Sequence, residues 1–82
     1  MVELIKEKIR YYYKENLELI AEINFRIENN TMYIDRTYTN ENYRGKGYAK
    51  KLLNELVNDA KSKNYKIEPI CSFAIYELNK TN

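Results

Sequence analysis

ENYRGKGYAKKLLNEL, residues 41–56, contains both glycines of an 82-residue chain, Gly45 and Gly47, two positions apart. Past Gly47 the apolar residues Ala49, Leu52, Leu53, Leu56, Val57 and Ala60 recur at helical spacing, while Lys50, Lys51, Asn54, Glu55, Asn58 and Asp59 occupy the opposite side. That pattern predicts an amphipathic helix with one face packed and one in water. It fades around Ser62-Lys63-Asn64. Ahead of the glycines the period is two, so this short stretch is where a sheet hands over to a helix.

Reading backwards, Thr31 to Thr39 forms a strand with Met32, Ile34 and Tyr38 turned inward. Asn29-Asn30 precedes it as a tight turn, because asparagine tolerates positive φ. From Leu17 the residues Leu17, Leu19, Ala21, Ile23, Phe25 and Ile27 alternate with polar ones, as in a half-buried strand. Lys14-Glu15-Asn16 reads as the turn before it. Leu4 to Tyr13 reads as a first strand, with Ile5, Ile9, Tyr11 and Tyr13 on one face and Lys6, Lys8 and Arg10 on the other. These three strands make an antiparallel meander. Beyond the helix, Tyr65 to Ile70 is a short strand with Pro69 at an edge or end. A helical crossover would set it parallel to the third strand. Cys71 to Leu78 reads as a short tail helix. The expected architecture is β-β-β-α-β-α, an α+β fold with one mixed sheet and its main helix packed across it.

Composition narrows the chemistry. Eighty-two residues predict a single domain over 1–82. The net charge of +2 is too small to argue for nucleic acid. No apolar run is long enough to span a membrane, and the start lacks a signal-peptide pattern, so a cytoplasmic protein is expected. There is no histidine and one cysteine, Cys71. A catalytic histidine, a His- or Cys-ligated metal and an internal disulfide are thereby excluded, and no metal is expected.

The glycines have two readings. They can simply form a strand-to-helix turn. They can also let the free N–H groups of a helix N-terminus approach a phosphate, with Arg44, Lys46, Lys50 and Lys51 adding charge. A Walker loop does not fit the spacing. A dinucleotide fingerprint fails because Lys50 stands where a third glycine or alanine belongs. Arg44-Gly45-Lys46-Gly47-Tyr48-Ala49 does resemble the Q/R-x-x-G-x-G/A pyrophosphate loop of the GNAT superfamily of N-acetyltransferases. Ile34 to Ser72 is further similar to the small single-domain proteins of that superfamily, with a threonine-bearing strand, a leucine-rich helix and a P-x-C ending.

This resemblance implies a minimal GNAT-like fold, acetyl-CoA as co-substrate and transfer of its acetyl group to a primary amine. It implies that the backbone from Arg44 to Ala49 surrounds the pyrophosphate. The strand near Tyr38 and Thr39 would pair with the pantetheine arm, in a gap between Thr37–Thr39 and Ile67–Ile70. Cys71 then follows the strand flanking that arm, as an acyl acceptor or as a small buried residue. Asp35 and Glu41 read as possible bases or as surface charges. Tyr76 reads as a possible acid or, with Phe73 and Leu78, as packing. Arg36 stands where the small family often has a histidine. The segments that larger relatives use for an acceptor pocket are missing. The alternatives are an acyl-CoA-binding module without turnover, or a nucleic-acid-binding domain using the basic strand face and Tyr11-Tyr12-Tyr13. Neither acceptor nor oligomeric state is legible.

Overall fold

Five strands share one sheet in the order β1-β2-β3-β4-β5. In the computed structural model, which describes residues 1–80, these are β1 (Val2–Lys6), β2 (Arg10–Glu15), β3 (Glu18–Glu28), β4 (Thr31–Thr39) and β5 (Lys66–Pro69). A 3-10 turn (Glu41–Tyr43), the long helix α1 (Tyr48–Ser62) and the short helix α2 (Ser72–Asn79) complete the chain. β1 to β4 form an antiparallel meander, and β5 lies parallel to β4 after the α1 crossover. The α+β class, the mixed sheet and the main helix across it are as expected.

The strand count is not. The segment 4–13 is two strands, giving β-β-β-β-α-β-α in place of β-β-β-α-β-α. The chain reverses through Glu7–Ile9, where the Glu7 N–H donates to the Arg10 carbonyl (2.8 Å) and the Arg10 guanidinium holds the Glu7 carboxylate (3.0 Å). Ile9 is exposed at this turn instead of lining the inner face. With no glycine, proline or asparagine there, the reversal leaves no ordinary turn signature. The next turn falls one or two residues later than expected, at Asn16 (φ 56°), and leaves Leu17 fully in solvent. Asn29 and Asn30 adopt positive φ (49° and 64°), as their turn requires.

The alternation in β3 is interrupted by a bulge. Tyr13 pairs with Ala21 but Lys14 with Leu19, so Ile20 is an extra residue. Ile20 and Ala21 are both fully buried, as a bulge that turns neighbouring side chains the same way allows. The core joins Tyr11, Ile23, Phe25, Met32 and Ile34 of the sheet to Leu52, Leu53, Leu56 and Ala60 of α1, with Ala74 of α2. Each fully buried large aliphatic side chain contributes about 1.5–3 kcal/mol.

A polar clasp ties the first hairpin to α1. The Lys6 ammonium meets Asp59 (2.9 Å) and Glu55 (3.1 Å), and the Tyr11 hydroxyl donates to Asp59 (2.6 Å). These two donors, Tyr11 first, hold the Asp59 carboxyl below its usual range. Burial, then the Asp59 bond, pushes the Tyr11 hydroxyl up to about 12. Both helices cover the same sheet face, and Lys50 of α1 approaches Glu77 of α2 (3.9 Å). The other face has no helix over it among the described residues.

Candidate functional site

β4 outlasts its parallel neighbour. β5 pairs with it only from Thr31 to Ile34, after which the Ile70 and Cys71 N–H groups both donate to the Ile34 carbonyl (2.9 and 3.1 Å). From Asp35 to Thr39 that edge of β4 is open. Asp35 is itself a bulge, since Phe25 pairs with Ile34 but Asn24 with Arg36. The bulge reverses which residues address the gap. The Asn40 N–H donates to the Ile20 carbonyl (2.8 Å), so Tyr38 and Arg36, two and four residues back, also turn their backbone groups toward β3. The N–H and C=O groups of Thr37 and Thr39 face the gap.

Next to this edge lies the loop. The Asn40 side chain accepts from the Asn42 N–H (3.0 Å) and donates to the Leu19 carbonyl (3.0 Å), which fixes the exit of β4. The Tyr43 hydroxyl donates to Glu18 (3.0 Å), and this bond raises its pKa. Gly45 and Gly47 both have φ 81°, a left-handed conformation open to glycine at little cost. A Cβ at either would meet nothing within 4 Å, so backbone conformation and not crowding explains them. Gly47 is the N-cap of α1 and supplies no side-chain cap; no acidic residue stands in the first turn. Arg44, Lys46, Lys50 and Lys51 therefore surround the positive end of the helix dipole, an adverse arrangement that a bound anion would relieve. The Arg44 side chain has no hydrogen-bond or ion-pair partner among the described residues. A cleft of about 200 Å³ opens here, lined by Thr39, Tyr43, Arg44, Gly45, Gly47, Tyr48, Ala49, Lys50 and Phe73.

Residues 10–82 match the family described as GCN5-related N-acetyl-transferase. The chain belongs to the GCN5-related N-acetyltransferase family. Its fold is similar to the NMR solution structure of a GCN5-like protein from Staphylococcus aureus, with a TM-score of 0.76 and 34% identity over 96% of this chain and 79% of that one. No curated protein matches it.

Within this GCN5-related chain, Thr39 and the loop residues Arg44, Gly45, Gly47, Tyr48 and Ala49 converge on one cleft, with Lys46 beside them above the Tyr43 ring (5.8 Å). Tyr38 stands apart: its side chain lies on the bare face, opposite Glu22, and its backbone is engaged with β3. Cys71 is half-buried at the N-cap of α2, where β4 and β5 part. Asp35 accepts from Arg26 (3.3 Å). Glu41 is exposed in the 3-10 turn, and Tyr76 is exposed on α2, whereas Phe73 and Leu78 pack against the core. The basic strand face is dispersed, because the hairpin sends Lys6 to α1 and Arg10 to the bare face. The three tyrosines separate too: Tyr11 meets Phe25 edge-on (5.3 Å), Tyr13 meets Tyr48 (5.3 Å) and Tyr12 lies under Arg10 (4.0 Å). No group of His, Cys, Asp and Glu suited to a metal ion occurs among the described residues. Sequence reasoning missed Tyr43 and Phe73 in the cleft lining; both are aromatics near a glycine turn and a helix start, a signal too general to act on.

Proposed function

We propose that residues 1–82 act as one cytoplasmic domain that binds acetyl-CoA and transfers its acetyl group to a primary amine. The observation that carries this reading is the open edge of β4 beside an uncapped, cation-ringed helix N-terminus. An extended chain with amide groups can pair with Thr37 and Thr39 as an added strand, while the diphosphate of the same molecule meets the N–H groups following Gly45 and Gly47. Acetyl-CoA has both features in one ligand. Arg44 and Lys46 supply charge at the loop, and Lys50 and Lys51 supply it from the first turn of α1. The thioester would then lie where β4 and β5 part, close to Asp35 and Cys71.

In direct transfer the neutral amine attacks the thioester carbonyl, a C–N bond forms, the C–S bond breaks and the thiolate takes up a proton. Cys71 offers a relay in which its sulfur carries the acetyl group between donor and amine. Intact-mass analysis after incubation with acetyl-CoA separates the two routes. An acetyl adduct lost in Cys71→Ala supports the relay; unchanged turnover in that variant without an adduct supports direct transfer.

The second reading is an acyl-CoA-binding module without turnover, favoured by the absence of any helix over the second sheet face among the described residues. Release of free CoA thiol with a panel of amines decides between them. Release above the amine-free rate supports the transferase. Tight acetyl-CoA binding with no release from any amine supports the module.

A further inference from the structure

We infer that the acceptor is an amine bearing an anionic group, such as a carboxylate, and that Arg36 receives that group. This rests on the acetyl-transfer reading above. The loop, the cleft and both helices lie on one face of the sheet, so a cofactor arm reaching the parting of β4 and β5 occupies the gap from that side. The acceptor must then approach from the bare face. On that face the residues beside the gap are Asp35, Arg36 and Tyr38 of β4 and Glu68 of β5, with Glu22, Asn24 and Arg26 behind them on β3.

Two of the three arginines on this face are each held by two carboxylates and an aromatic ring. Arg10 holds Glu7 (3.0 Å) and Glu22 (2.8 Å) and stacks on Tyr12 (4.0 Å). Arg26 holds Glu28 (3.0 Å) and Asp35 (3.3 Å) and stacks on Tyr33 (4.3 Å). Arg36 differs. Its guanidinium has only long contacts, 3.5 Å to the Asn24 side chain and 3.8 Å to Glu22, and its side chain is 63% exposed. Glu22, only 11% exposed, is bonded to Arg10 through Oε1, and its Oε2 stays 3.8 Å from Arg36, beyond hydrogen-bond length. Arg36 is thus the most loosely held guanidinium of this face, one residue past the bulge at Asp35. A planar fork of donors suits a carboxylate or phosphate. The same positive charge would repel a polyamine, whose remaining groups are ammonium ions.

The test compares β-alanine with β-alaninamide and with spermidine as acceptors, following CoA release by the wild type and by Arg36→Gln and Arg36→Lys. The expected result is a higher kcat/KM for β-alanine than for its amide, although the amide's amine is the less basic. In Arg36→Gln that preference should fall by about tenfold to a hundredfold, the usual weight of a charge-assisted hydrogen bond, and Arg36→Lys should restore part of it. A preference for spermidine or for the amide, or a loss in Arg36→Gln that is equal for all three amines, overturns the inference. A binding readout runs beside it: N-acetyl-β-alanine should shift the Arg36 Nε–Hε resonance of the protein loaded with CoA, and N-acetyl-β-alaninamide should not. No shift with either overturns the inference even when acetyl-CoA binds. Failure of acetyl-CoA to bind at all removes the underlying reading first and is seen separately, at the loop amides.

Discussion

Gly47 begins α1 at φ 81°, in open space, so its requirement is conformational. Gly47→Ala should cost about 1–2 kcal/mol through left-handed strain alone, measured by urea unfolding; a variant as stable as the wild type would contradict this. The φ values were not visible in the residues, but two glycines between a strand period and a helix period did mark the strand-to-helix turn. The Lys6–Tyr11–Asp59 clasp was invisible, because its members are far apart in the chain and meet only when the hairpin lies against α1. Asp59 titrates below its usual value, so its contribution is present above about pH 4 and lost as pH falls through the lowered folded value. The stability difference between wild type and Asp59→Asn should therefore narrow in acid; a difference unchanged at the lowest pH would contradict that origin. Tyr11 behaves oppositely. Its hydroxyl, raised from 10.0 to about 12, contributes stability that is complete below pH 10.0 and lost on the way to about 12.

The elements were legible wherever periodicity was uninterrupted. β4 and α1 follow the expected spans closely, because one is bounded by the Asn29-Asn30 turn and the glycine loop and the other has a leucine face at helical spacing. The errors cluster where an irregularity breaks the period: the Glu7–Ile9 reversal, the Ile20 bulge and the Asp35 bulge. None carries glycine or proline, and a bulge has no composition of its own. The Asp35 bulge matters most, since it decides that Thr37 and Thr39, not Tyr38, address the gap. Two proline substitutions test that assignment. Thr39→Pro removes an N–H that no strand uses and should leave the fold intact, with a change in unfolding free energy of about 1 kcal/mol or less. Tyr38→Pro removes a ladder bond to β3 and should cost about 3 kcal/mol or more. Equal costs would mean that the parity is wrong. In the core, Leu56→Ala should lose about 2–5 kcal/mol by urea unfolding, since Leu56 has no exposed surface and joins helix to sheet.

At the scale of the whole molecule, the parallel placement of β5 followed from a helical crossover returning to the same sheet. The layer arrangement did not follow: that α1 and α2 share one face and leave the other bare is a matter of packing, which periodicity does not encode. Chain-wide charge was equally uninformative, because the +2 balance hides a concentration of cations at one helix end and a mutually paired set across the bare face. The glycine loop at the start of α1 was therefore readable, and the make-up of the bare face was not. A 15N-resolved NMR titration with acetyl-CoA tests the central claim most directly. The account predicts that the largest amide shifts fall at Thr37, Thr39, residues 44–52, Ile70 and Cys71. Shifts absent there with millimolar ligand, or confined to the opposite end of the sheet around Tyr65, Met32 and Lys63, would contradict it.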